Sequence, residues 1–260
     1  MSSCTKKLST NFKYLQNHYL YFDEIESTNA YLLQTDFENG IIVQAGFQSK
    51  GRGRKKREWQ SLAGQSLLFS IGLNEKLDQL PGFIYTFLSS LAVAETIDSI
   101  FPSLNPILKW PNDVLINHKK VCGILVETKA NSQELNKVVI GIGLNVNQNE
   151  DYFSKPDLQF GTSLKIETGG RQDREIILTN ILRALDENLN LALKFGSEPI
   201  LNRWRQMCPY LSREITLIEG EKSMTGKFVD IASDGALLLQ VDGQTEKIYA
   251  GDVSFDKRSL

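Results

Sequence analysis

Cysteine and histidine are scarce in this chain. Three cysteines (Cys4, Cys122, Cys208) and two histidines (His18, His118) occur among 260 residues. The cysteines are odd in number, widely spread and never in a C-x-x-C pair. That pattern argues against a disulfide framework or a structural zinc site and fits a reducing compartment. The histidines have no metal-ligand spacing, and His118 sits in "INHKK", which reads as an exposed hairpin turn. No run reaches the ~18–20 apolar residues that span a bilayer. The opening "MSSCTKKLSTNFK" has no apolar signal-peptide core. The chain is therefore expected in the cytoplasm and off the membrane. Charge surplus is also missing. The formal net charge is -2, whereas a protein that coats nucleic acid usually carries an overall basic excess. Repeats and low-complexity segments are absent too.

What remains is an ordinary globular composition, 41% hydrophobic and 23% charged, sufficient for a packed core. The length suits one large domain, alone or with a small one. The apolar spacing predicts strands over 18–25, 41–48, 66–73, 107–110, 113–117, 120–128 and 136–147. It predicts helices over 27–39, 82–101, 173–195 and about 197–207, the first capped by Ser27 or Thr28 and stopped by Gly40. After "CPYL" (208–211) the texture changes to four or five short β runs separated by "GEK", "SDG" and "DGQ", which is turn chemistry. The expectation is a main α+β domain over 1–210, not a βαβ repeat, and a small β-barrel over 211–260.

The basic charge is local. Lys50 to Arg57, "KGRGRKKR", places six basic side chains in eight positions. A dinucleotide fingerprint starting at Gly51 and Gly53 would need glycine at 56, where Lys56 stands, and no helix pattern follows. A phosphate-binding P-loop from Gly46 and Gly51 would need Lys and Ser or Thr where Arg52 and Gly53 stand. A loop with guanidiniums at alternate positions, Arg52 and Arg54, remains. Arg forks match phosphate or carboxylate oxygens two at a time, and glycine lets backbone approach a ligand. The competing reading is a nucleic-acid patch. It lacks aromatics interleaved with the basic residues.

A second cluster follows in "KWPNDV" (109–114) and "KKVCGILVE" (119–127). A hairpin between them can bring Lys120 beside Asn112 and Asp113, and Gly123 leaves room above the sheet. Together with "STN" (27–29), the basic loop and "GIGLNVN" (141–147), this set resembles the biotin protein ligases. The likeness runs from about residue 20 to 258 and includes "SDGALLLQVDG" in the C-terminal part.

The resemblance implies a mixed β-sheet flanked by helices, like the class II aminoacyl-tRNA synthetases, with a C-terminal SH3-like β-barrel. It implies an enzyme that joins biotin to ATP as biotinyl-5′-AMP, with Mg²⁺ accompanying the nucleotide. The biotinyl group then passes to a lysine of a biotin carboxyl carrier protein. It assigns biotin to Ser27, Thr28, Asn29 and Gln48. It assigns the covering loop to Gly51, Arg52, Gly53 and Arg54, with Trp59 after it. Lys120 falls at the carboxylate and α-phosphate, Asn112, Asp113 and Asn145 fall around the nucleotide, and Gly123 leaves space for the ligand. Lys120, Arg54 and Asp113 are the expected catalytic set, Asp113 either as a base or as the group that orients Lys120. No resident metal site is expected.

The family loop commonly reads G-R-G-R-R-G-R, so Lys56 replaces a glycine and the loop should order at a different rate. Some members carry an N-terminal DNA-binding domain. The residues before the expected first strand are too few for its three helices, so no DNA binding is expected. A monomer and a homodimer are both compatible with the sequence. A lipoate–protein ligase is the nearest rival, but its Arg-Arg-x-[Ser/Thr]-Gly-Gly-Gly signature is absent.

Overall fold

The computed structural model describes residues 3–74, 79–130, 135–219 and 222–254. Two sheets and five helices organise them. The larger sheet has eight strands: β1 (Ser3–Lys7), β2 (His18–Ile25), β3 (Ile41–Gln48), β4 (Ser66–Leu73), β5 (Ile107–Lys109), β6 (Asp113–Ile116), β7 (Lys119–Ala130) and β8 (Leu135–Asn145). They lie in the order β1-β2-β3-β4-β8-β7-β6-β5. Only β2 and β3 pair in parallel; every other neighbour is antiparallel. The sheet is thus mixed, and the architecture is α+β.

The side-chain alternation of the central strands divides this sheet into two unlike faces. On β8, Ile140, Ile142 and Leu144 point into the main core. The opposite residues are Val139, Gly141, Gly143 and Asn145. Val139 packs in a small second core with Phe22, Ile25, Leu32, Val43 and Ala45. On β4, Leu67, Phe69 and Ile71 join the main core, while Ser70 faces the other way. Helix α2 (Ile84–Ile100) closes the apolar face and is buried on nearly every side, so it needs no polar stripe. Its serines stay satisfied: Ser89 Oγ donates to Tyr85 O at 2.6 Å and Ser90 Oγ to Phe87 O at 3.0 Å. Helices α4 (Arg174–Phe195) and α5 (Glu198–Gln206) pack behind it. Asp173 caps α4, accepting from the backbone N–H of Glu175 and Ile176. Among the helices of the described residues, the other face carries the short α1 (Thr28–Gln34). Beside it the glycines of β7 and β8 are covered by the side chains of Asn29 and Trp59.

Helix α1 is about half the length that its spacing predicts. Thr35 ends it, with Thr35 N and Oγ1 both donating to Tyr31 O at 3.1 and 2.9 Å. Gly40 then turns into β3 at φ +76°, where an added Cβ would lie 2.1 Å from Tyr14 O. The sheet also starts earlier than the pattern indicates. Strand β1 is mostly polar and exposed, so it carries no hydrophobic signature. Another short helix, α3 (Leu164–Thr168), falls in a segment with no periodic pattern.

The second sheet holds β9 (Glu214–Glu219), β10 (Lys222–Ile231), β11 (Leu237–Val241), β12 (Gln244–Ile248) and β13 (Asp252–Ser254), all antiparallel, in the order β12-β11-β10-β9-β13. Its apolar residues Ile215, Leu217, Phe228, Leu237, Leu239 and Val253 continue the main core past Trp204 and Tyr210. Polar ties fix the two sheets together. Trp110 Nε1 donates to Gly235 O at 3.2 Å, and Arg205 reaches Asp230 Oδ1 at 2.7 Å and Ile231 O at 2.6 Å. This attachment carries the N-terminus of β13 to the open face of the first sheet. No helix among the described residues is long and apolar enough to cross a membrane.

Candidate active site

A cavity of about 330 Å³ opens on the face that α1 leaves bare. That volume lies in the ~300–1,000 Å³ range of small-molecule sites. Its floor is backbone. A Cβ on Gly143 would sit 2.5 Å from Trp59 Cε2, and one on Gly123 would sit 2.9 Å from Trp59 Cζ3. The Trp59 indole therefore lies directly on the strands, which only glycine permits. Its Nε1 is buried and meets no acceptor among the described residues. Buried donors are rarely left so, and a ligand oxygen or nitrogen can supply the partner. Gly143→Ala is expected to displace the indole, and overpacking of this kind costs roughly 1–3 kcal/mol. Titrated with biotin, the ligand that the resemblance implies, tryptophan fluorescence should show affinity weakened by about tenfold or more.

The polar end of the cavity is built by the start of α1. Ser27 caps the helix, accepting from Ala30 N at 3.4 Å. Gln48, at the end of β3, accepts through Oε1 from Thr28 N at 2.8 Å, with Thr28 Oγ1 3.0 Å away. Asn29 lies on the buried side of the same turn and donates to Leu125 O at 3.2 Å. Asn145, at the end of β8, accepts from Gln148 Nε2 at 3.1 Å.

The cationic end is built by two hairpins. Strands β6 and β7 join through Asn117 and His118, both at positive φ. His118 is an exposed turn residue, its Nδ1 3.2 Å from Tyr210 Oη. The pairing places Asp113 opposite Gly123 and sets Lys120 Nζ 2.7 Å from Asp113 Oδ1. The ammonium also stands 5.5 Å from the Trp59 ring centroid. Asn112 is fixed by its neighbour across the ladder, donating from Nδ2 to Ile124 O at 2.8 Å. Lys109 on β5 stands close by; burial lowers its pKa, against the pull of Asp113.

The basic segment is itself a small hairpin. Trp59 N donates to Gly51 O at 2.9 Å and Gly53 N to Arg57 O at 2.8 Å. Arg54 reaches across the cavity, its NH1 donating to Asn112 Oδ1 at 3.1 Å. Burial draws the Arg54 guanidinium below its ordinary pKa, while the carboxylates of Asp252 and Asp113 oppose that. Gly51 is the one expected ligand-binding residue that does not line the cavity. It sits at the hairpin base, where an added Cβ would lie 2.3 Å from Trp59 O, so its absent side chain serves closure of the hairpin. At the tip Lys55 and Lys56 take φ of +55° and +61°. Lys56 thus adopts a left-handed conformation without being glycine, at about 1–2 kcal/mol. Lys56→Gly is expected to relieve about 1 kcal/mol of this, raising Tm by ~2–4 °C. A lower Tm would show that the lysine side chain makes contacts that outweigh the strain.

The crowd of cations is held together by carboxylates that the sequence pattern does not reveal. Arg52 NH2 pairs with Glu127 Oε1 at 2.9 Å. Arg57 NH2 and Lys55 Nζ lie 2.7 and 3.5 Å from Asp252 Oδ2, on β13 of the second sheet. Burial opposes ionisation of Asp252, but Arg57, Lys55 and Arg54 together hold its carboxyl below the ordinary range. The cavity wall is completed by Tyr152, Phe153, Leu158 and Phe160, from a segment with no recognisable motif. A site of this shape can place an apolar body against the Trp59 indole, hold polar atoms at one end and gather anionic oxygens at the other.

Comparison with known proteins finds relatives along most of the chain. Residues 21–145 match the family model described as the Biotin/lipoate A/B protein ligase family, and residues 210–256 match the Biotin protein ligase C terminal domain. A biotin–[acetyl-CoA-carboxylase] ligase of Mycobacterium tuberculosis is 32% identical, over 87% of this chain and 85% of that protein. Its counterpart in Paracoccus denitrificans is 30% identical, over 88% and 97%. A bifunctional ligase/repressor BirA of Bacillus spizizenii is 31% identical, over 91% and 73%. Among solved structures, a biotin protein ligase of Aquifex aeolicus in complex with biotin and ATP superimposes with a TM-score of 0.78 at 31% identity, covering 94% of this chain and 98% of that one.

Proposed function

The chain belongs to the biotin protein ligase family, and from that membership we propose how its cavity divides the reaction. The enzyme forms biotinyl-AMP from biotin and ATP and transfers the biotinyl group to a carrier protein. In the first step a biotin carboxylate oxygen attacks the α-phosphorus and pyrophosphate leaves. In the second the acceptor lysine amine attacks the acyl carbon, AMP leaves, and the amine loses a proton.

The observation that carries the assignment is the meeting of Lys120 and Arg54 over a glycine floor, with the Gln48–Thr28 pair at the far end. Both reacting groups of the first step are anions, and fixed cations in a water-poor site lower the cost of joining them. Lys120 stands where the carboxylate and α-phosphate meet, held there by Asp113. Arg52 and Arg54 take phosphate oxygens, with Asn112 and Asn145 beside the nucleotide. Mg²⁺ travels with the triphosphate and shares its charge. Ser27, Thr28, Asn29 and Gln48 supply hydrogen bonds to the ureido end, while the Trp59 indole covers the apolar body. Residues 1–210 form the catalytic unit in this reading, and the barrel of 211–260 adds a carboxylate that steadies the lid. The acceptor is a biotin carboxyl carrier protein, and the reaction runs in the cytoplasm, where ATP is present.

Biotin-dependent ATP–pyrophosphate exchange tests the reading, with lipoate as the control. Exchange with biotin and none with lipoate is expected. Exchange driven by lipoate in preference to biotin would reassign the substrate.

A further inference from the structure

Ser70 and Glu127 do not line the cavity, yet they link its two ends. Ser70 on β4 is fully buried, with its Oγ 2.6 Å from Thr28 Oγ1 and donating to Asn29 Oδ1 at 2.5 Å. A hydroxyl has one hydrogen. With that hydrogen on Asn29, Ser70 accepts from Thr28, whose backbone N–H still holds Gln48 Oε1 at 2.8 Å. The same bond turns the Asn29 amide so that Nδ2 donates to Glu127 Oε2 at 2.9 Å. Gly141 permits this placement, since a Cβ there would lie 2.2 Å from Asn29 Oδ1. The other oxygen of Glu127 pairs with Arg52 of the basic hairpin at 2.9 Å. The path Gln48–Thr28–Ser70–Asn29–Glu127–Arg52 is therefore continuous.

We infer that Ser70 and Glu127 are positioning residues that couple the biotin end of the cavity to the arginine lid, so that biotin in place steadies Arg52. The inference rests on the ligase reading. An exposed Arg–Glu pair alone contributes little; what differs here is that one carboxylate serves both ends. Ligand contacts that fix Gln48 and Thr28 remove freedom from Asn29 and Glu127. The hairpin then orders at lower entropic cost.

The test uses the full chain and three variants: Glu127→Gln, Ser70→Ala and both together. Biotin KM and kcat are measured separately by pyrophosphate exchange, and hydrogen–deuterium exchange of 51–59 is followed with and without biotin. Glu127→Gln is expected to raise the biotin KM about tenfold with kcat at saturating biotin changed less than twofold, and to abolish biotin-dependent protection of 51–59. Ser70→Ala, which removes one oxygen and leaves the fold, should act in the same direction. The double variant should be no worse than the worse single one, because both break one path. Wild-type KM and protection in Glu127→Gln would overturn the coupling, and so would multiplicative effects or a loss confined to kcat. A wild-type chain without any biotin-dependent exchange would instead overturn the ligase reading itself, and the coupling with it.

Discussion

Lys120→Ala is expected to lower biotin-dependent pyrophosphate exchange by about 10²–10³-fold, the usual effect of removing one positioned group that stabilises developing charge. The ammonium is only partly exposed and is held at 2.7 Å by Asp113, so its location is fixed before substrate arrives and costs little reorganisation. Removing it also leaves the Asp113 carboxylate facing the reacting anions, which adds repulsion. Lys109 stands close enough to feel the charge of Lys120, but it projects from β5, beyond β6, and does not replace the missing contact. Lys120→Arg should restore little, because a planar guanidinium does not reproduce a compact ammonium. The fold should survive, since the side chain lies at the surface of the cavity and outside the apolar core. Single-turnover formation of biotinyl-AMP measures the effect. A variant within about threefold of wild type would remove Lys120 from the chemistry.

Arg54→Gly should act on a different quantity, the retention of the intermediate. The side chain bridges the cavity mouth to Asn112 at 3.1 Å, and a charge-assisted hydrogen bond is worth roughly 1.5–3 kcal/mol. Its loss is expected to release biotinyl-AMP about ten- to a hundredfold faster. The freed mixed anhydride would then label bystander lysines. Adenylate release in a rapid-dilution experiment, and biotin found on an added unrelated protein, give the two readouts. Release at the wild-type rate would show that other groups hold the lid. Closure also excludes water from a reactive anhydride, so hydrolysis of the adenylate should rise in parallel.

The strands of the central sheet were legible because they alternate or run continuously apolar, as in "IIVQAGFQ" and "SLLFSIGL", which become β3 and β4. Strand β1 was not, because an exposed polar edge strand has no hydrophobic period. The helix over 27–39 stops at Gln34 because the Thr35 side chain and backbone both close on Tyr31, a local competition that periodicity does not express. The basic segment and the Asn112–Lys120 hairpin could be found by residue type and spacing. Glu127, Asp252 and Ser70 could not. A lone carboxylate or serine gains meaning only when the fold sets it against a partner far along the chain. Gly141 and Gly143 belong to the same class: "GIGLNVN" was visible as a motif, but which of its glycines face the cavity depends on strand register.

The carboxylate that grips the tip of the basic hairpin comes from residue 252, while the arginine it holds is residue 57. During translation these two appear on the ribosome far apart in time. A nascent chain that has emerged past α5 holds the Arg52–Glu127 and Arg54–Asn112 contacts of the basic hairpin, yet nothing to fasten its tip. The polypeptide thus gains the means to make an activated acyl group before it gains full means to contain it. Delayed or truncated synthesis of the last strand would accordingly expose neighbouring proteins to stray acylation.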